Sequence, residues 1–346
     1  MGANDLLYNL AVPVVQAPMA GATTPVMAAE VTRAGGLGFL AGALRPVDGL
    51  AADIAEVRGR TDGPFGVNLF VPGPDTGDPA EIAAYAERLR PDAVRLGTGL
   101  GDPVWGDDAF AAKVDLLRRD PVPAVTFTFG CPEAAVISGL RAAGSAVGVT
   151  VTTADEARTA AAAGADFLAV QGAEAGGHQG SFDDAEERTV PLLDLLAQVR
   201  AAVDLPLVGA GGIMTYEDVA RVRAVGAVAA QCGTAFLRTP ESAAKPAHKA
   251  ALADPAYAAT AVTRAFSGRR ARSLVNAFLR AHDAAAPAAY PQVHHLTTPL
   301  RAAAGAHDEA GSLNLWAGTG HLQAEAIPAA DVLHKLAATA EPGWTP

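Results

Sequence analysis

The chain has 346 residues, half of them hydrophobic and 18% charged, with 26 basic against 37 acidic side chains and a net charge of −11. That length holds one large domain or two ordinary ones with an ample apolar core. The acidic balance excludes a protein that relies on neutralising phosphates to hold nucleic acid, and the low charge content excludes intrinsic disorder.

The first apolar run, 12–16, predicts a strand, and Thr24-Pro25 after it predicts a helix N-cap with proline at the first helical position. That helix ends at Thr32-Arg33-Ala34-Gly35-Gly36, just before a second strand over 36–41. The same joint returns at Arg141-Ala142-Ala143-Gly144, Ala161-Ala162-Ala163-Gly164 and Arg223-Ala224-Val225-Gly226, each time before another apolar run. Glycine ends a helix cheaply because it accepts a left-handed backbone. A short continuous apolar run is how a buried parallel strand reads. Thr153-Ala154-Asp155-Glu156 has capping-box spacing, and Thr215-Tyr216-Glu217-Asp218 is a close variant.

Strands are thus expected at 12–16, 36–41, 65–69, 124–128, 146–151, 167–171, 206–210 and 228–231. Eight strands alternating with helices predict an α/β fold, a (β/α)8 TIM barrel rather than an open doubly wound sheet. Residues 92–97, Asp-Ala-Val-Arg-Leu-Gly, have some strand character, but the count of eight assigns them to a loop insertion. From about 238 to 310 the strand rhythm is lost and the chain reads as mostly helical. The expected division is a barrel over 1–237 and a smaller helical substrate-side domain over 238–310. A C-terminal segment over 311–346 follows, whose helix near 328–339 returns to the barrel.

Cys131 and Cys232 make neither a disulfide framework nor a metal-ligand spacing, so no metal is expected. The apolar N-terminal stretch is broken by Asn9, Pro13, Gln16 and Pro18, which argues against a signal peptide, and no run is long enough to span a bilayer. A cytoplasmic protein without membrane contact is expected.

In a barrel of this kind the active site lies where the strands end. The first strand runs into Gln16-Ala17-Pro18-Met19-Ala20-Gly21, and the third places Asn68 at the mouth. The sixth leads into Gln171-Gly172-Ala173-Glu174-Ala175-Gly176-Gly177-His178. The seventh and eighth end in Gly209-Ala210-Gly211-Gly212-Ile213 and Gln231-Cys232-Gly233-Thr234. Glycine turns at these last two positions expose backbone N–H groups that can hold a phosphate, although either turn alone is only a tight turn. His178 projects from a glycine-rich segment across from them, which makes it the candidate for chemistry. Glu174 reads as a helix-start carboxylate more readily than as a second titrating group. Cys232 reads as packing, and His294 and His295 as a weak pocket possibility.

The phrases Gln16–Gly21, Ala34–Phe39, Phe65–Asn68, Glu174–His178, Gly209–Ile213, Gln231–Leu237, Ala265-Phe266-Ser267-Gly268-Arg269 and Leu315–Gly318 closely resemble those of nitronate monooxygenases. Their order and spacing span nearly the whole chain. The resemblance implies an FMN-dependent barrel enzyme that oxidises alkyl nitronates with O2 to a carbonyl compound and nitrite. It implies FMN contacts from Asn68, Gln171, Gly176, Gly211, Gly212, Gln231, Cys232, Gly233 and Thr234. Met19 is placed against the flavin ring, His178 as the active-site histidine, and Tyr290 in a region of pocket tyrosines. A nitronate is an anion, so His178 is expected either to donate to it, as imidazole or imidazolium, or to take the α-proton of a neutral nitroalkane. Two other readings predict different behaviour. One is an FMN-dependent NAD(P)H reductase of quinones or enoyl thioesters, and the other a non-catalytic barrel that binds a phosphorylated ligand.

Overall fold

The computed structural model describes residues 3–337. Helix α1 (Ala3–Tyr8) leads into β1 (Val14–Gln16), α2 (Pro25–Arg33), β2 (Gly38–Ala41), α3 (Val47–Arg60) and β3 (Phe65–Phe70). Two helices, α4 (Pro79–Arg95) and α5 (Phe110–Arg119), precede β4 (Ala124–Thr128). Then come α6 (Ala134–Ala142), β5 (Ala146–Val151), α7 (Ala154–Ala162), β6 (Phe167–Gln171) and a two-residue strand β7 (Gly177–His178). Helix α8 (Leu192–Ala202), β8 (Leu207–Ala210), α9 (Tyr216–Ala224) and β9 (Ala229–Cys232) complete the barrel.

Strands β1 to β6 with β8 and β9 form one eight-stranded sheet in the order β1-β9-β8-β6-β5-β4-β3-β2, parallel at every pairing. A parallel bridge between Val15 and Leu37 closes it, with Gln16 N–H donating to Leu37 O at 2.9 Å and Leu37 N–H to Val14 O at 3.1 Å. The molecule is therefore the TIM barrel that the alternation predicts. Its core alternates large and small residues: a Cβ on Gly66 would lie 2.2 Å from the Phe39 ring, and one on Gly148 2.4 Å from the Phe167 ring. Glycine in these strands makes room for phenylalanine next door.

The predicted helix starts hold. Thr24 accepts from Met27 N–H and Thr153 from Glu156 N–H, while Thr215 and Asp218 form the full reciprocal box. Residues 92–97 are neither strand nor loop. Most of them form the last turn of α4, whose Ile82, Tyr85, Leu89 and Ala93 bury one helical face. Val94, which gave the segment its strand character, is 81% exposed. Capped by Asp78 and opened by Pro79, the helix period wins over the local β-branched residue.

After β9 the chain forms α10 (Pro246–Ala251), β10 (Thr260–Thr263), β11 (Ala271–Leu274), α11 (Ala277–His282), α12 (Gln292–Ala306) and α13 (Ala329–Ala337). The 238–310 stretch is thus not purely helical, because β10 and β11 pair antiparallel and β11 pairs in turn with β7. Apolar residues of this stretch, including Phe266, Phe278, Val293 and Leu296, share one buried cluster with Tyr85 and Leu89 of α4. Helix α13 packs on α2 and α9 and buries Val332, Leu333 and Leu336. The predicted end of that helix at 338–339, with the segment to 346, lies outside the described residues. Among the described residues no helix is long and apolar enough to cross a membrane, and no group of three metal-ligating side chains stands together.

Candidate active site

A cavity of about 450 Å³ opens at the C-terminal ends of the barrel strands. Its wall contains Met19, Asn68, Gln171, Gly176, His178, Gly211, Gly212, Gln231, Cys232, Gly233 and Thr234, all expected there from sequence, whereas Tyr290 and His295 are not among the lining residues. This is a normal size for a small-molecule or cofactor site.

On β3 the Asn68 amide oxygen accepts from the hydroxyls of Thr126 and Thr128, both at 3.0 Å. With its oxygen satisfied from within the barrel, the amide offers N–H groups as its remaining function. Gln171 is committed differently. Its Nε2 donates to His178 O at 3.1 Å and its Oε1 accepts from Gly180 N–H at 2.6 Å, so it braces the segment carrying the histidine.

The glycine turns lie side by side because β8 and β9 are neighbours. Gly211 and Gly212 adopt φ values of 129° and 68°, a backbone region that side chains other than glycine's disfavour. Immediately after them, Asp218 accepts from Met214 N–H at 2.9 Å and Thr215 N–H at 3.0 Å. Burial raises its pKa, but these bonds and Arg221 outweigh it and hold the carboxyl below its usual range. Glu174, whose side chain packs near Gly212, gives its carboxylate to Leu192 N–H at the start of α8. Both carboxylates near the turn are thus engaged by backbone donors, and Glu174 is the helix-start carboxylate. The other turn has Thr234 Oγ1 accepting from Gly318 N–H at 2.9 Å, and Gly233 beside the Met19 sulfur. A flat ligand with one phosphate fits this corner: glycine backbone on two turns, a hydroxyl, and no free carboxylate in the cradle. Cys232 is buried, and burial pushes its thiol pKa far up, as suits a packing residue.

His178 does not sit in a free loop. As part of β7 it pairs with Ala271 on β11, which fixes its backbone from the far side of the sequence. Its ring lies among Phe129, Trp316, Tyr290 and Phe70, at centroid distances of 5.5, 5.5, 5.7 and 6.3 Å. Burial pushes its pKa down to about 3, with Arg269 and Arg301 adding to the effect. Burial therefore favours the neutral ring over the imidazolium at physiological pH. Nε2 is 2.9 Å from Ser267 Oγ, and that hydroxyl lies 3.1 Å from Arg269 O as its donor. A serine has one proton to give, so it accepts from His178 Nε2–H and leaves the ring lone pair on Nδ1.

Ser267, Phe129, Trp316 and Arg301 were not singled out as site residues by sequence. The sequence assigns Ser267 no role beyond its place in Ala265–Arg269. Arg301 was detectable as a lone cation in the apolar run Leu296–Ala304, seven residues beyond His294. Both His294 and Arg301 line the cavity from α12, and the Tyr290 ring packs edge-on against that of His178.

The fold and the site together define a TIM-barrel enzyme. A sequence model described as nitronate monooxygenase matches residues 4–339. A nitronate monooxygenase from Pseudomonas aeruginosa is 40% identical over 353 residues, covering 95% of this chain and 96% of that protein. Another, from Paraburkholderia phytofirmans, is 37% identical over 338 residues, covering 95% and 92%. The solved structure of a nitroalkane oxidase from Streptomyces ansochromogenes matches with a TM-score of 0.94 at 52% identity over 96% of each chain. FabK from Thermotoga maritima matches with a TM-score of 0.75 at 28% identity, covering 96% of this chain and 93% of that one. The chain belongs to the nitronate monooxygenase family and is an oxidoreductase; proteins of this family are generally flavin enzymes.

Proposed function

We propose that this enzyme uses FMN to oxidise alkyl nitronates, propionate 3-nitronate among them, with O2 to a carbonyl compound and nitrite. The observation that carries the reading is a neutral histidine among aromatic rings in the same cavity as two adjacent glycine turns. In this reading Gly211, Gly212, Gly233 and Thr234 hold the phosphate, with Gln231 and Cys232 beneath. Met19 would pack against the ring system, and Asn68 would donate to it. Gly176 packs so closely that a Cβ would sit 2.4 Å from the Ala317–Gly318 backbone, which fixes the wall beside the cofactor. One phosphate corner in a cavity of about 450 Å³ favours FMN over a dinucleotide.

When bound, the flavin supplies the redox chemistry between nitronate and O2. The protein positions the substrate and handles its proton. His178 Nδ1 accepts the α-proton of a neutral nitroalkane, which converts it to the nitronate inside the cavity. Ser267 and Gln171 hold the histidine for that transfer. The surrounding rings exclude water from it. The likeness to a Streptomyces nitroalkane oxidase supports the use of neutral nitroalkanes.

The test is the absorbance spectrum of the purified protein, followed by O2 uptake and nitrite release with propionate 3-nitronate. Flavin bands, FMN on chromatography of the released cofactor, and stoichiometric nitrite are expected. FAD would contradict the cofactor assignment. Protein that neither carries nor takes up FMN would favour the non-catalytic phosphate-binding barrel. The likeness to FabK keeps a reductase as the second reading, and rapid flavin bleaching by NADH or NADPH would favour it.

A further inference from the structure

Helix α12 presents His294, Thr298 and Arg301 to the cavity from one face. Arg301 is half-buried in the wall, unlike the exposed Lys245 at the rim. Its Nε donates to Thr297 Oγ1 at 3.1 Å, and its Nη2 to His294 O at 2.9 Å and Thr298 Oγ1 at 2.8 Å. These partners are neutral groups of its own helix. Among the described residues Nη1 has no partner, and no carboxylate lies within 4 Å of the guanidinium. Arg269 and Arg272 also lack a carboxylate within 4 Å, but they donate to the backbone carbonyls of Ser181 and Ala173 and do not line the cavity. Other interior cations are paired. Lys113 meets Asp108 at 2.7 Å, and Arg264 and Arg270 share Asp184.

A buried cation without a counter-ion is costly. Burial brings the Arg301 pKa down to about 10, so the charge is nonetheless present at neutral pH. The charge lacks a partner within the protein and faces a cavity. Its natural partner is an anion bound there. His178 cannot fill that role, because its N–H is given to Ser267. The Tyr290 ring lies 5.7 Å from that of His178 and 6.3 Å from that of His294, which Arg301 contacts.

We propose that Arg301 recognises the negative charge of the substrate's nitronate group through its unpartnered Nη1, so that the cavity prefers an anionic nitronate to the neutral nitroalkane of the same carbon skeleton. The inference rests on the cavity being a nitronate site. It divides the work between two residues, with Arg301 reading charge and His178 taking a proton.

The test compares flavin-loaded wild type, Arg301→Met and Arg301→Lys on ethyl nitronate and on nitroethane. Loss of a charge-assisted hydrogen bond should raise the KM for ethyl nitronate about 10- to 100-fold in Arg301→Met, with a much smaller change for nitroethane. Arg301→Lys should recover part of the loss. Nitrate is a planar anion with no oxidisable carbon. Titrated into the holoenzyme and followed by flavin absorbance, it should bind more weakly to Arg301→Met by a similar factor. Flavin content and thermal unfolding of each variant identify a folding defect, in which case the Arg301→Lys ratio decides. Equal KM changes on both substrates, or unchanged nitrate binding, would overturn the proposal. So would a loss seen with propionate 3-nitronate but not with ethyl nitronate, since Arg301 would then read a distant carboxylate. Wild-type enzyme inert on every nitronate, yet binding nitrate through Arg301, would refute the functional reading and leave the anion site standing.

Discussion

His178 is held at both ends, its backbone by β11 and its ring by Ser267. As the proton acceptor, it should be needed most when the substrate still carries its α-proton. His178→Ala is expected to keep its flavin and to slow nitroethane oxidation by about 10²- to 10⁴-fold, with a smaller effect on ethyl nitronate. Equal losses on the two forms, read by O2 uptake, would instead make the histidine a donor to the anion. The depressed pKa gives the sign of the pH dependence. A group with a folded pKa of about 3 stays neutral above it, so the base is lost only as pH falls towards that value. Nitroalkane turnover should show no histidine titration near pH 6.5, and a sigmoidal fall centred there would contradict the assignment. Ser267→Ala removes one hydrogen bond and should cost about 2- to 10-fold in the same rate, with flavin content unchanged. The histidine and Asn68 were legible in the sequence because each stands at the end of a readable strand. Ser267 and Arg301 were not, since what matters about each is a neighbour 89 residues away in one case and a missing neighbour in the other.

At the scale of elements, the turn after β8 does two things with one run of residues. Gly211 and Gly212 shape the cavity wall, and the capping box of Thr215 and Asp218 starts α9 directly behind them. Thr215→Ala should cost about 1 kcal/mol of stability by denaturant titration. Gly212→Asp should fold less stably, because φ is 68° and a Cβ would stand 3.0 Å from that of Glu174. It should also lose FMN, because a carboxylate enters the phosphate corner. Recovery of a full complement of flavin in that variant would place the phosphate elsewhere. The barrel strands were readable because each is a local apolar run, four of them with a helix-ending glycine joint just before. The pairing of β10, β11 and β7 was not, because strands of two and four residues are too short to show a period and β7 meets β11 from far along the chain. Residues 92–97 misled for the opposite reason: a local strand-like run lay inside a longer helical face.

Across the whole molecule, burial lowers the pKa of His178 to about 3 and of His248 to about 4, and lowers that of His294 as well. Their folded values lie below the unfolded value near 6.5, so the unfolded chain binds more protons as the medium becomes acidic. Stability should be full above pH 6.5 and fall steadily as pH drops towards 4, seen as a declining melting temperature. A flat profile over that interval would mean that these rings are more hydrated than the structure indicates. The barrel brings residues from both ends of the chain, Met19 and Arg301, into one cavity, and the account stands on what that cavity oxidises. The most direct measurement is anaerobic mixing of the flavin-loaded enzyme with ethyl nitronate in one syringe and with NADPH in another, followed by flavin absorbance. Rapid bleaching by the nitronate and none by NADPH is the result the account predicts. Rapid bleaching by NADPH, with an unchanged spectrum in nitronate, would contradict it.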